Sequence, residues 1–240
     1  MPRATNEKAP RRRKRSTPLT RSKIAEVTLD LMREGGVEAV SMRQIADRLG
    51  VDVAAPYRHF GNKEDIVQAA GDLAARAVDL RAPASGDWET RFAELCTTIR
   101  SRLRRHPELS LFGGGSAGSS PFNAKAFGLI AGVLFEAGLR GNEIQFAAQH
   151  TLDTLTAIAH DEILRLKNSS EDNHRFHETF MEHLPDEVRA DLPPQRGRST
   201  ARLFDEYFQY AVDALLRGLV GQLNPKDAPP KRRASLRKTR

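Results

Sequence analysis

Apolar residues return every third or fourth position along almost the whole chain, and no stretch shows the alternation a strand requires. Ile24, Val27, Leu31 and Met32 make one stripe behind a capping Thr20, in a helix running through Arg33 that Gly35 and Gly36 end. Val37 and Val40 lead the chain back to the core. Met42, Ile45, Ala46 and Leu49 form the stripe of a shorter helix. Its cap is Ser41, with Gln44 placed to complete a capping box and Gly50 supplying a left-handed stop. Val51 plugs the core, and Asp52 caps a further helix predicted from Val53 to about Phe60. Asn62 caps a longer one, Lys63 to about Leu80, with Ile66, Val67, Ala70, Leu73, Ala74 and Ala77 inward. The run Arg81-Ala-Pro-Ala-Ser-Gly86 then breaks the pattern, and the domain boundary is expected there.

The helical period resumes at Trp88 and lasts to Arg105, with Phe92, Leu95, Cys96, Ile99 and Leu103 on one face and Pro107 as the stop. Leu109, Leu111 and Phe112 suggest a short apolar helix leading into a flexible loop, GGGSAGSS, at residues 113–120. Pro121 opens a helix that Gly138 closes, with Phe127, Ile130, Val133 and Leu134 inside. Asn142 to about Leu166 is apolar on more than one side, through Ile144, Phe146, Ala147, Leu152, Leu155, Ile158, Ile163 and Leu166. Residues 167–199 are polar, with at most a short helix from Asp172 to His183, and such a linker inside a compact domain is mobile or functional. Ser199 caps a last helix to about Leu223. It carries Leu203, Phe204, Tyr207, Phe208, Val212, Leu215, Leu216, Leu219 and Val220, more apolar surface than one core needs. The expected fold is all-α, a three-helix head followed by a helical body.

Charge changes the picture at the ends. The formal net charge is +7, but residues 1–23 hold nine Lys/Arg against Glu7, and residues 224–240 hold seven against Asp227. The ends thus carry +8 and +6, which leaves −7 for residues 24–223. Residues 1–18 and 224–240 are therefore read as disordered basic arms, with Arg11, Arg12, Arg13, Lys14 and Arg15 a run that phosphate attracts. Basic tails also suit membranes and acidic proteins, so charge alone does not choose a partner. The single cysteine, Cys96, rules out an internal disulfide and fits a reducing cytoplasm. No apolar run approaches the roughly 20 residues of a membrane span, and the basic N-terminus lacks the apolar core of a secretory signal.

Residues 41–63, SMRQIADRLGVDVAAPYRHFGNK, are two short helices about a tight turn, the pattern of a helix-turn-helix whose second helix enters the DNA major groove. With Tyr57-Arg58-His59-Phe60 followed by Asn62-Lys63-Glu64, the chain resembles the TetR family of one-component transcriptional repressors over about Leu19 to Val78. Residues 87–223 are more weakly similar: Asp87-Trp88 and His106-Pro107 look like the body of the tetracycline-repressor branch. The resemblance implies a DNA-binding head at 19–80 and a ligand-binding, dimerising body at 87–223. It also implies a homodimer in which Asn142–Leu166 and Ser199–Leu223 pair with their mates as a four-helix bundle. The partners it implies are a double-stranded DNA operator and a small-molecule effector of unknown identity, with no membrane and no cofactor.

In that arrangement Arg43 is the candidate for bidentate reading of guanine, with a phosphate contact as its alternative. Tyr57 and His59 resemble backbone and sugar contacts, and Lys63 a phosphate contact. Arg58 reaches bases or phosphate. Backbone amides at Ser41 and Met42 suit a phosphate at a helix N-terminus, and Thr20 and Arg21 are placed to do the same. The recognition helix departs from the family pattern: it reads Val53-Ala54-Ala55-Pro56, where a hydroxyl residue is common at 55 and Leu or Ile at 56. Ala54 and Ala55 hydrogen-bond no base, so direct readout falls to Arg43, Tyr57 and Arg58, and the rest to DNA shape.

The resemblance further implies an effector held between the family's fourth and eighth helices, which swings the heads apart. Pocket candidates are Leu73, Phe92, Cys96, Phe112, Phe127, Ile130, Leu134, His150 and Thr154, each of which also suits an ordinary core. The tetracycline–magnesium site does not transfer, because the positions of its histidines fall on Asp79 and Gly113. No metal is expected: His174, His177, Glu178, Glu182 and His183 cluster, but without the second His at zinc-helix spacing. GGGSAGSS lacks the Gly-Lys-Ser/Thr of a phosphate loop. No enzyme is expected. A non-specific or architectural nucleic-acid binder using both arms, a helical enzyme or lipid carrier, and an activator role remain as alternatives.

Overall fold

The computed structural model describes residues 18–112, 120–192 and 199–223, and every regular element among them is helical. The basic arms and most of the glycine loop lie outside the described residues. Helix α1, Arg21–Gly35, starts where the Thr20 hydroxyl accepts the Lys23 N–H at 3.2 Å. It buries Ile24, Val27, Leu31 and Met32, together with Leu29. Helices α2, Met42–Leu49, and α3, Ala54–Tyr57, follow, and α4, Lys63–Ala77, begins at an Asn62 side chain that accepts the Asp65 N–H at 2.7 Å. α1 packs chiefly against α4, so the head is built on that pair with α2 against its side.

Two boundaries differ from expectation. α3 is a single turn and does not run to Phe60: the His59 and Phe60 N–H groups both reach the Pro56 carbonyl, at 3.0 and 3.1 Å, and the tightened chain drops Phe60 into the core. α4 stops at Ala77, which is exposed. Beyond it the backbone is extended, so Val78 and Leu80 both point inward while Asp79 faces out. Ala77, expected inward, is thus outside, and the core is filled instead by Val78 and Leu80 from an extended linker where helix is expected.

The body opens with α5, Trp88–Arg105, whose Asp87 cap accepts the Thr90 N–H at 2.8 Å. That hydrogen bond holds the Asp87 carboxyl below the usual carboxylate range. Phe92, Leu95, Cys96, Ile99 and Leu103 are all sealed inside, as the period predicts. A 3-10 turn, Pro107–Phe112, places Leu109 and Glu108 inward. Then come α6, Pro121–Ala137, and α7, Asn142–Lys167. The polar stretch after it holds more helix than predicted, α8, Ser170–Glu182, and α9, Asp186–Asp191, with Pro185 between them. α8 has Phe176 and Phe180 one turn apart, and it is further supported where Ser169 caps Asp172 at 3.1 Å, two acids occupy its first turn, and His174 meets Glu178 at 3.1 Å one turn on. The last helix is α10, Thr200–Leu223.

α5, α6 and α7 form the centre of the body, and α10 covers α7. A charged cluster fastens three of the four. Arg100, 7% exposed, grips the fully buried Glu162 with Nε to Oε2 at 3.0 Å and a terminal N–H to Oε1 at 2.9 Å. The same guanidinium lies 2.8 Å from Asp205 on α10 and stacks 4.6 Å over the Phe208 ring. A second link joins head to body: Arg33 of α1 donates to the buried Glu108 at 3.2 Å. Glu34 and Arg48 tie α1 to α2 through paired bonds of 2.9 and 2.7 Å, which hold the Glu34 carboxyl low.

Burial also fixes the chemistry of the lone thiol, since desolvation pushes Cys96 up to about 12. At pH 8 the native protein is expected to resist iodoacetamide, and urea is expected to expose one alkylatable site to mass spectrometry. Rapid labelling without urea would mean that the α5–α6 core opens readily.

Candidate nucleic-acid interface

The unit from Ser41 to Lys63 is built by local hydrogen bonds that leave one edge bare. The Ser41 hydroxyl accepts the Gln44 N–H at 3.2 Å and donates to the Gln44 carboxamide oxygen at 2.8 Å. Gln44 thus closes the cap on the hydroxyl itself. Gly50 takes φ 66° and ψ 36°, the left-handed conformation a side chain disfavours, and Val51 N–H returns to the Ala46 carbonyl at 3.0 Å. The Asp52 carboxylate accepts the Ala54 N–H at 2.8 Å and starts α3.

Within α3, Pro56 is buried and Ala55 half-buried, while Val53, Ala54, Tyr57 and Arg58 stay outside. Tyr57 is 53% exposed although its ring is large and apolar, so half its surface faces water with no core reason. Arg43, on the second position of α2, has an 84% exposed side chain whose nearest carboxylate, Asp47, is 3.9 Å away. Such a loose surface pair leaves the guanidinium available. Met42 is a core side chain, so only its backbone N–H, in the first turn of α2, faces outward chemistry. His59 and Lys63 are half-buried at the junction with α4.

Arg21 has a task that spacing does not disclose. Its guanidinium donates to the His59 carbonyl and stacks 4.0 Å over the Phe60 ring, so α1 braces the end of α3. Thr20 spends its hydroxyl on the α1 cap. The twelve head residues singled out in the sequence thus fall on α1, the two-helix unit and the first turn of α4, with Met42 alone pointing its side chain inward.

The pocket candidates scatter more widely. Phe92, Cys96, Ile130 and Leu134 meet in one closed core, with Leu73 and Phe127 half-buried against it. Thr154 is half-buried and donates to the His150 carbonyl at 2.8 Å, while His150 itself is exposed on the outer face of α7. The Phe112 side chain lies outside the described residues. Asp79 is exposed beside Arg81, and Gly113 is outside the described residues. No group of three His, Cys, Asp or Glu side chains converges for a metal among the described residues. The Arg100–Glu162–Asp205 cluster and the Arg33–Glu108 link escape sequence reasoning, because their members are far apart along the chain and carry no local signal.

Residues 24–70 match the family model of bacterial regulatory proteins of the tetR family. The tetracycline repressor protein class D of Escherichia coli is 25% identical over 213 residues, 85% of this chain and 91% of that protein. An HTH-type transcriptional regulator of Saccharopolyspora erythraea is 30% identical over 99 residues, and there the match spans 41% of this chain and 42% of the relative's length. Among solved structures, the Streptomyces coelicolor TetR family protein ActR in complex with actinorhodin superposes with a TM-score of 0.68. That alignment covers 85% of this chain and 97% of ActR at 22% identity. No helix among the described residues is long and apolar enough to cross a membrane.

Proposed function

The chain belongs to the TetR family of bacterial regulatory proteins, and on that premise we propose that it is a homodimeric repressor released from its DNA operator by a small molecule. The observation that carries this reading is the bare edge of residues 41–63: Arg43, Tyr57 and Arg58 project outward while Pro56 and Phe60 lock the same unit to the core. The head spans 19–80 and the body 87–223. The chain acts in the cytoplasm and catalyses no reaction.

On DNA, Arg43 reads a guanine through its two-pronged fit to O6 and N7. Tyr57 and His59 touch backbone and sugar, Arg58 bases or phosphate, and Lys63 phosphate. The amides of Ser41 and Met42 hold a second phosphate at the α2 N-terminus. Thr20 and the N–H groups of Arg21 left over from its brace reach a third. Val53, Ala54 and Ala55 approach the groove without hydrogen-bonding it, which leaves shape as the remaining source of selectivity.

Dimerisation uses the outer faces of α7 and α10. Phe146 and Tyr210 are each 67% exposed, and Leu164, Leu203 and Tyr207 extend the same apolar surface. The effector enters between α4 and the helices of the body, where Leu73 and Phe127 border the closed cluster of Phe92, Cys96, Ile130 and Leu134. Entry separates these side chains, and a ligand that prefers the separated arrangement shifts the head spacing away from successive major grooves.

Arg43→Ala tests the DNA contact. Operator binding is expected to weaken by roughly 1–3 kcal/mol, with preference relaxed at one base pair per half-site. Equal weakening on operator and random duplexes, followed by fluorescence anisotropy, would reduce Arg43 to a phosphate contact.

A further inference from the structure

We propose that the cleft between the C-terminal half of α5 and the N-terminal half of α10 is a binding site for a small monocarboxylate, which Arg105 and Arg104 hold. It lies outside the interior assigned to the effector above and does not depend on that reading. The cleft is open to solvent and has a volume of about 600 Å³, within the range that small-molecule sites occupy.

Its charge is the first argument. Residues 24–223 carry a net −7, yet here Arg100, Arg104 and Arg105 converge. Among the described residues, only two carboxylates answer them. Arg100 is taken by its two-pronged bond to Glu162 and its contact with Asp205. Arg104 stands farther off, at 3.4 Å from Glu162 and 3.8 Å from Asp205, with a 41% exposed side chain. Arg105 is exposed and has no carboxylate partner among the described residues. One positive charge is therefore left over beside a cavity, which suits a monoanion, and the planar guanidinium fork matches a carboxylate.

The walls set the rest of the ligand. Thr97 donates its hydroxyl proton to the Ala93 carbonyl at 2.9 Å, so its oxygen presents lone pairs outward. Ser101 and Gln209 add further hydrogen-bonding groups, while Phe208, 1% exposed with the Arg100 guanidinium stacked on its ring, closes the inner side of the cleft. A small body with a single acid group and a polar group for these walls fits such a surface. Position keeps the site open in the dimer. On the period of α10, Asp205 and Gln209 fall on the flank opposite Tyr207 and Tyr210, away from the apolar face assigned to pairing. The cleft also lies beside the strap to the head: Arg105 is followed directly by His106 and, two residues later, by Glu108, the acceptor of Arg33 in α1.

Isothermal titration of the full-length protein with sodium benzoate, and with benzamide as the neutral isostere, tests this. Benzoate is expected to bind and benzamide not. Arg105→Ala is expected to lower the benzoate affinity by about tenfold or more, and Arg105→Lys by less. Because Arg105 has no carboxylate to lose among the described residues, the ligand-free melting temperature of Arg105→Ala should match that of the parent, so a lost signal reports the site. Equal binding of benzamide, absence of benzoate binding, or an unchanged affinity in Arg105→Ala would each overturn the assignment.

Discussion

Replacing Glu162 by Ala is expected to lower the free energy of unfolding by about 3–5 kcal/mol, the largest stability change predicted for any single residue here. Glu162 is fully buried on α7, and its two oxygens are taken up by Arg100 from α5. Deleting the carboxylate leaves a guanidinium that is itself only 7% exposed with a single counter-charge, Asp205, at the rim. The penalty is the stranded charge, because a buried pair gains little over a well-packed apolar one. Two further substitutions separate these effects. Glu162→Gln keeps the volume and an acceptor, and should cost less than Ala. Arg100→Met combined with Glu162→Leu removes both charges and should recover most of the loss. Urea melts at one fixed protein concentration, with unchanged slopes, give the comparison. A Glu162→Ala loss below about 1 kcal/mol would show that water already reaches the cluster, contrary to its burial.

Phe146→Asp combined with Tyr210→Asp is expected to yield a monomer whose operator affinity falls by roughly 10²–10⁴-fold. Both side chains are two-thirds exposed, so neither substitution removes a core contact, and the monomer fold should survive. A carboxylate on the apolar face of each paired helix is desolvated on association, which opposes pairing. Once the subunits part, the second head no longer arrives at the high local concentration that the first creates. Binding to random DNA, carried by single heads, should change far less. Sedimentation velocity and operator titration on the same sample provide the check. A variant that remains dimeric would move the interface elsewhere, while a monomer with parental operator affinity would separate DNA recognition from the two-fold.

The features of this protein that are legible in its amino-acid sequence share one property: their causes act within about one helical turn. Thr20, Ser41, Asn62 and Asp87 each accept a backbone N–H three residues ahead. Gly50 stops α2 because only its backbone tolerates the turn, and the stripe Phe92, Leu95, Cys96, Ile99, Leu103 is buried as a unit. The bare edge of Arg43, Tyr57 and Arg58 follows from the same periodicity, since their helix-mates fill the opposite face.

Other features have causes beyond that reach. The stripe on α4 predicts Ala77 inward, but the helix ends there and the extended linker supplies Val78 and Leu80 to the core. The polar composition of residues 167–199 hides α8, whose support includes the Ser169 cap, the acids of its first turn and the His174–Glu178 pair. Arg21 braces a carbonyl 38 residues away, and Arg100 meets Glu162 across 62.

By itself the sequence determined the helices, their caps and stops, the two-helix unit at residues 41–63 and the surplus apolar faces of α7 and α10. Tertiary structure alone decided which charges were buried together, which cleft kept a guanidinium without a counter-charge among the described residues, and how α1 is tied to both α3 and the body. The physical reason is that hydrogen-bonding period and side-chain alternation are set by neighbours along the chain. An ion pair or a cavity is instead set by the distance between helices, which exists only once they have packed.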